Sequence, residues 1–140
     1  MTTATAPGKI ILAGEHAVVY GRPAIAVPVW DVVAQATIMD MASGADCILI
    51  APDIGLHLRL VDATAELPLA VVARLTLARL GLPPNPAWQI EVRSEIPIAS
   101  GLGSGAALSA ALVRAIYMHA GQLAPPALVS ELVFESERFY

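Results

Sequence analysis

Three glycines and two serines separate a strand-like run from an alanine-rich run in Pro97-Ile98-Ala99-Ser100-Gly101-Leu102-Gly103-Ser104-Gly105-Ala106-Ala107. Gly101, Gly103 and Gly105 lack a Cβ and can take φ > 0, so the backbone can wrap round an anion and turn several N–H groups inward. The helix predicted from Ala106 to about Ala120 adds the positive end of its dipole at the same spot. Ser104 can cap that helix or give its hydroxyl to a phosphate or a metal. A strand-to-helix turn without any ligand has the same composition, and short glycine motifs match by chance. Gly101-x-Gly103-x-x-Ala106 also fits the dinucleotide fingerprint, yet Pro125-Pro126 and another helical run stand where a βαβ unit needs its second strand. No Gly-Lys-Ser/Thr closes the motif, which excludes a P-loop.

The elements that must position this loop follow from periodicity. Trp88, Ile90 and Val92 alternate with Gln89, Glu91 and Arg93, which predicts a half-buried strand leading into the glycines. Ahead of it, Leu67 to Leu80 has a helical period, with Pro68 in the first turn, Gly81 as the stop and Val71, Leu75 and Ala78 on one face. Ala124-Pro125-Pro126 opens a last helix through Glu131, Glu135 and Glu137. Earlier in the chain, β-prone runs broken at Gly14 and at Gly21-Arg22-Pro23 predict two or three strands, continued by Val32 to Met39. Cys47 to Ala51 reads as a further strand. Leu56-His57-Leu58-Arg59-Leu60 alternates with its leucines on one face, leaving His57 on the polar side as a solvated residue.

The composition narrows the classes. At 140 residues the chain fits one domain, and 56% hydrophobic against 14% charged residues gives it a core to bury. Mean hydropathy is +0.66, high for a soluble domain, but no run reaches the ~18 apolar residues of a membrane helix. The surplus apolar surface is therefore expected to meet another protein surface. A net charge of −4 argues against a nucleic-acid partner, and no basic run offers one. One cysteine, Cys47, permits no internal disulfide and fits a reducing compartment. Lys9 precedes only a short apolar run and Met1 to Ala6 carry no positive charge cluster, so no secretory signal is predicted and the expected location is cytoplasmic.

Pro7-Gly8-Lys9-Ile10-Ile11-Leu12-Ala13-Gly14-Glu15-His16-Ala17-Val18-Val19-Tyr20-Gly21 resembles the first signature of the GHMP small-molecule kinases, and Pro97 to Ala107 resembles their second. Within that superfamily, Gly14-Glu15-His16-Ala17-Val18-Val19-Tyr20-Gly21 is similar to the mevalonate kinases. The specific matches are confined to these segments and the C-terminal edge. The resemblance implies an α+β domain like the second domain of ribosomal protein S5, residues 1–140, with a mainly antiparallel sheet covered by helices.

It also implies roles. Lys9 matches a lysine near the substrate hydroxyl and the γ-phosphate, where an ammonium stabilises developing charge. Glu15 and His16 match residues close to the substrate or nucleotide. Ser94, Ala99, Ser100, Gly101, Leu102, Gly103, Ser104 and Gly105 match the nucleotide-holding segment. The family pattern usually reads Gly-Leu-Gly-Ser-Ser with its second serine on magnesium, and Gly105 stands there in this chain, so Ser104 or a water takes that place. Pro52-Asp53-Ile54-Gly55 resembles Pro-Asn-Ile-Gly, whose asparagine approaches the nucleotide. A solvated turn aspartate is the other reading of Asp53. Glu137 matches the second magnesium ligand, and a solvated acid on a Glu-rich helix is its alternative.

In the family the segment after Glu137 runs into His-Gly-x-Pro-Ser-Gly-x-Asp, whose aspartate is the catalytic base. That motif is not among the 140 residues. The resemblance thus implies an N-terminal, ATP- and Mg²⁺-binding domain of a mevalonate kinase, inactive alone. Its expected partners are mevalonate, ATP and either a C-terminal domain or a second copy on the exposed apolar face. Another GHMP kinase, for phosphomevalonate or a sugar, and a non-catalytic S5-like binding module are the alternatives.

Overall fold

The computed structural model describes residues 1–13, 25–96 and 104–137. Among these residues five strands and three α-helices follow in chain order: β1 (Thr2–Ala13), β2 (Ile25–Asp40), β3 (Ile48–Ala51), β4 (Leu56–Arg59), α1 (Pro68–Arg79), β5 (Trp88–Ser94), α2 (Ser104–His119) and α3 (Pro126–Glu137). The strands form one sheet in the order β1-β2-β5-β3-β4. Three of its four pairings are antiparallel and only β3 with β5 is parallel. The α+β class and the mainly antiparallel sheet expected from the sequence are both present.

The sheet's inner rows explain where the helices sit. Ile38 of β2, Ile90 of β5 and Leu49 of β3 lie in register across three strands and are all fully buried. Beside that row the pairs Ala4↔Ala36 and Ala6↔Ala34 form a buried alanine floor on β1 and β2. α2 crosses β1 and β2 and brings its own buried alanines, Ala107, Ala111 and Ala115, at four-residue spacing on one helical face. Small residues on both sides let helix and sheet approach closely, and Leu112 and Ile116 fill the space toward its other neighbours.

Two local readings need correction, the N-terminal strands and the start of α2. The N-terminal runs are two long strands, one starting as early as Thr2 and the other joining Ile25 to Asp40 without a break. Their register slips at Pro7/Gly8: Pro7 faces Val33 while Gly8 faces Val29, so Trp30, Asp31 and Val32 are surplus on β2. Proline has no N–H to continue the ladder, which suits it to the slip.

α1 keeps its predicted bounds, with Pro68 first and Gly81 at φ 70° donating its N–H to Ala78. Its buried residues are Leu69, Ala70, Val71, Val72, Ala73, Thr76 and Leu77. Val71, Leu75 and Ala78 share one face as expected, and beside Arg74 they border a surface groove. With apolar residues nearly all round this helix, periodicity alone cannot choose the side. Finally, α2 starts at Ser104, two residues before Ala106, so Ser104 belongs to the helix's first turn.

His119 closes α2 against the sheet. Its Nδ1 lies 2.7 Å from the Thr2 hydroxyl and its Nε2 2.9 Å from Asp40 Oδ1. A carboxylate only accepts, so Nε2–H donates to Asp40. The ring also meets Trp88 edge to face at 4.8 Å. His119→Ala removes all three contacts, but Asp40 is largely exposed, so its bond contributes little. The expected loss is about 1 kcal/mol, read as a shift of the urea midpoint. An unchanged midpoint would mean these contacts hold nothing.

His57 is exposed on β4, as its alternation predicted. Among the described residues no helix is long and apolar enough to cross a membrane. Apolar side chains do remain at the surface, notably Trp30 at 58% and Phe134 at 65% exposure.

Candidate functional site

β5 ends where the glycine segment begins, and its exit is pinned three ways. The Ser94 N–H donates to Asp53 Oδ2 at 2.7 Å, the Ile96 N–H to Ser94 Oγ at 3.0 Å and the Glu95 N–H to the Val33 carbonyl at 3.0 Å. Asp53 is brought there by a single 3-10 turn, Pro52–Ile54, that follows β3 directly and closes with Gly55 in the left-handed region. Since β3 and β5 run parallel, both strand ends arrive at the same edge. A pair of residues 41 positions apart in sequence thereby becomes a hydrogen-bonded pair.

Beside this junction lies a cavity of about 440 Å³. Asp53 and Ile54 form one wall, Leu67 to Leu69 at the start of α1 another, Ser94 to Ile96 a third, and Ser104, Gly105 and Leu108 of α2 the fourth. The size suits a small organic ligand. Ser104 and Gly105 bring the first turn of α2, and with it the positive end of the helix dipole, to this wall. A Cβ built on Gly105 meets no atom within 4 Å, so this glycine is not demanded by packing.

A second groove, of about 320 Å³, lies against the neighbouring face of the same helix turn. Lys9 and Pro7 of β1, Ala106, Ala107 and Ala110 of α2 and Val129, Ser130, Val133 and Phe134 of α3 line it. Lys9 is exposed. The register slip stands immediately before Lys9, and slips of this kind re-aim the side chains that follow. Thus the first turn of α2 divides a cavity holding Ser104 from a groove holding Lys9.

Of the residues expected at the site, Asp53, Ser94, Ser104 and Gly105 share the first cavity, and Lys9 borders the second. Asp53 is more than a solvated turn residue, because its carboxylate accepts the Ser94 N–H. Glu15, His16, Ala99, Ser100, Gly101, Leu102 and Gly103 lie outside the described residues, as does the side chain of Glu137, whose backbone ends α3. Sequence reasoning missed Glu95 and the apolar wall of Leu67, Pro68 and Leu69. Glu95 could have been found from its place between β5 and the glycines; the wall depends on where α1 packs. Cys47 plays no part as a nucleophile: burial pushes its thiol up to about 11.

The residues present suit a magnesium–nucleotide only in a particular way. Among the described residues no three His, Cys, Asp or Glu side chains cluster to hold a metal. Magnesium needs few protein ligands when phosphates and waters supply the rest, and the Ser104 hydroxyl in the cavity wall is a hard oxygen of that kind.

Comparison with known proteins follows the same line. The chain is 38% identical over 114 residues to a protein named mevalonate kinase from Archaeoglobus fulgidus, covering 81% of this chain and 36% of that one. It is 37% identical over 126 residues to another of that name from Methanothermobacter thermautotrophicus, covering 86% of this chain and 37% of that one. The crystal structure of the Methanococcus jannaschii mevalonate kinase superposes with a TM-score of 0.82 at 26% identity, over 97% of this chain and 45% of that one. The chain therefore spans little more than a third of the length of these curated relatives. The model of the GHMP kinases N terminal domain matches residues 66–140, more than half of the chain and the part that holds α1, β5, the glycine segment, α2 and α3, so the chain belongs to the GHMP kinase N-terminal domain family.

Proposed function

We propose that this chain is the nucleotide-holding domain of a kinase that transfers the γ-phosphoryl group of ATP to the C5 hydroxyl of mevalonate. The observation that carries the reading is the division made by α2: its first turn borders a nucleoside-sized cavity on one side and the Lys9 groove on the other. The glycine segment and that turn hold the phosphates. Lys9 approaches the transferring group and the substrate oxygen and stabilises the charge that develops there. Glu15 and His16 orient the substrate, and Ser104 with Glu137 would hold Mg²⁺. When bound, the metal neutralises phosphate charge.

No aspartate in the expected catalytic motif occurs in these 140 residues, so the domain alone is expected to transfer no phosphate. The exposed apolar residues, Trp30 and Phe134 foremost, would meet a C-terminal domain or a second copy. The single buried cysteine suits work in the cytoplasm.

The test is coupled ADP release with mevalonate, phosphomevalonate, galactose and homoserine, run on this chain and on a version extended through the His-Gly-x-Pro-Ser-Gly-x-Asp segment and a C-terminal domain. Turnover of mevalonate by the extended protein alone supports the proposal. Turnover by the short chain refutes the assignment of the base, and no turnover of mevalonate by either refutes the substrate.

Gly105 gives a further prediction. Its missing Cβ points into open space in the cavity, so Gly105→Ser fits and sets a second hydroxyl beside Ser104. The Mg²⁺ concentration needed for half-maximal nucleotide binding by the extended protein is expected to fall several-fold. An unchanged Mg²⁺ titration would show that this position lies off the metal.

A further inference from the structure

The cavity beside α2 has an unusual polarity for a site that takes an anion. Among the described residues of its wall, the charged side chains are Asp53 and Glu95, both carboxylates, with no lysine or arginine beside them. Phosphates therefore belong at the α2 end, near Ser104 and Gly105, and whatever lies against Asp53 must present hydrogen-bond donors.

Asp53 is also held in place. Ser94 N–H fixes its Oδ2 at 2.7 Å, and that bond uses one of about four lone-pair positions on the carboxylate. A fixed acceptor pair beside a slot walled by Leu67, Pro68 and Leu69 can read the edge of a flat base. Adenine offers its amino group beside a ring nitrogen that only accepts, so a carboxylate gains one bond from it. Guanine offers N1–H and its 2-amino group side by side, two donors spaced to meet two carboxylate oxygens. We propose that Asp53 opens the nucleotide cavity to guanine, so that this chain binds guanine nucleotides as well as adenine nucleotides. This rests on the reading of the cavity as a nucleotide site and adds the base that it accepts.

The experiment is calorimetric titration of the extended protein with ADP, GDP, IDP and inorganic tripolyphosphate, repeated on Asp53→Asn. Asparagine keeps the size and its carbonyl can still accept the Ser94 N–H, and a thermal melt checks the fold. GDP is expected to bind within a few-fold of ADP or tighter, and to lose roughly ten-fold or more in Asp53→Asn, the scale of one bidentate base contact, while ADP, with one bond at stake instead of two, loses less. IDP, which lacks the 2-amino group, should bind the unmodified protein more weakly than GDP, a comparison that needs no substitution. A GDP-to-ADP ratio unmoved by Asp53→Asn, or GDP no tighter than IDP, overturns the proposal. If tripolyphosphate and ADP bind but GDP does not, the nucleotide site stands and the role of Asp53 falls. If none of the four binds, the nucleotide reading fails and this inference with it.

Discussion

Lys9→Met in the extended enzyme is expected to lower kcat by about 10²–10³-fold while the KM for ATP moves little, the scale seen when one charge-stabilising donor is removed from a transition state. Methionine keeps an unbranched apolar stem at the groove that Lys9 lines, so the change removes the ammonium with little loss of apolar bulk. An equal fall in kcat and kcat/KM is the pattern of a contact made only as charge develops. Steady-state kinetics over a range of ATP and mevalonate concentrations separates the cases. A kcat within a few-fold of the unmodified enzyme would make Lys9 a surface lysine on β1 and move the charge-stabilising role elsewhere.

Ala111→Leu should produce the largest loss of stability among the changes considered. Ala111 is fully buried within the row of buried alanines on α2, a helix that packs on β1 and β2, whose own buried alanines are Ala4, Ala6, Ala34 and Ala36. Overpacking of this kind costs about 1–3 kcal/mol, occasionally more, and three added carbons at a helix–sheet contact place it near the top of that range. Against a total of about 5–15 kcal/mol that is a substantial fraction. The helix must also lift, carrying Ser104 and Gly105 with it, so nucleotide affinity should fall together with the urea midpoint. A leucine that leaves both unchanged would show that the helix does not bear on the sheet at this point.

The sequence revealed those parts of the fold whose causes are local. Pro68, Gly81 and Pro125-Pro126 mark helix ends because ring and φ constraints act within one or two residues, and the alternation of Trp88, Ile90 and Val92 gives β5. What could not be read depends on distant partners. The surplus of Trp30, Asp31 and Val32 on β2 is fixed by pairing with β1, and nothing in those three residues announces it. Which side of α1 is buried could not be read, because apolar residues surround that helix and the choice is left to α2 and α3. For the site, the glycine spacing pointed to Ser104 and Gly105, which line the first cavity, whereas the bond from Ser94 to Asp53 follows from the parallel pairing of β3 with β5.

The strand order also bears on how the domain assembles. β1 with β2 and β3 with β4 are each pairs of consecutive strands, while β5 is inserted between them and bonds to Ile38 and its neighbours on one side and to Ile48–Ile50 on the other. On a ribosome the first four strands emerge before the strand that joins them, so two separate ribbons must wait until residue 94 is free. Closing the sheet then requires two long loops to be paid in entropy at once, which makes the docking of β5 the expected slow step. In native-state hydrogen exchange, the amides of β5 should accordingly open only with the whole domain, and those of β4, at the far edge, well before it.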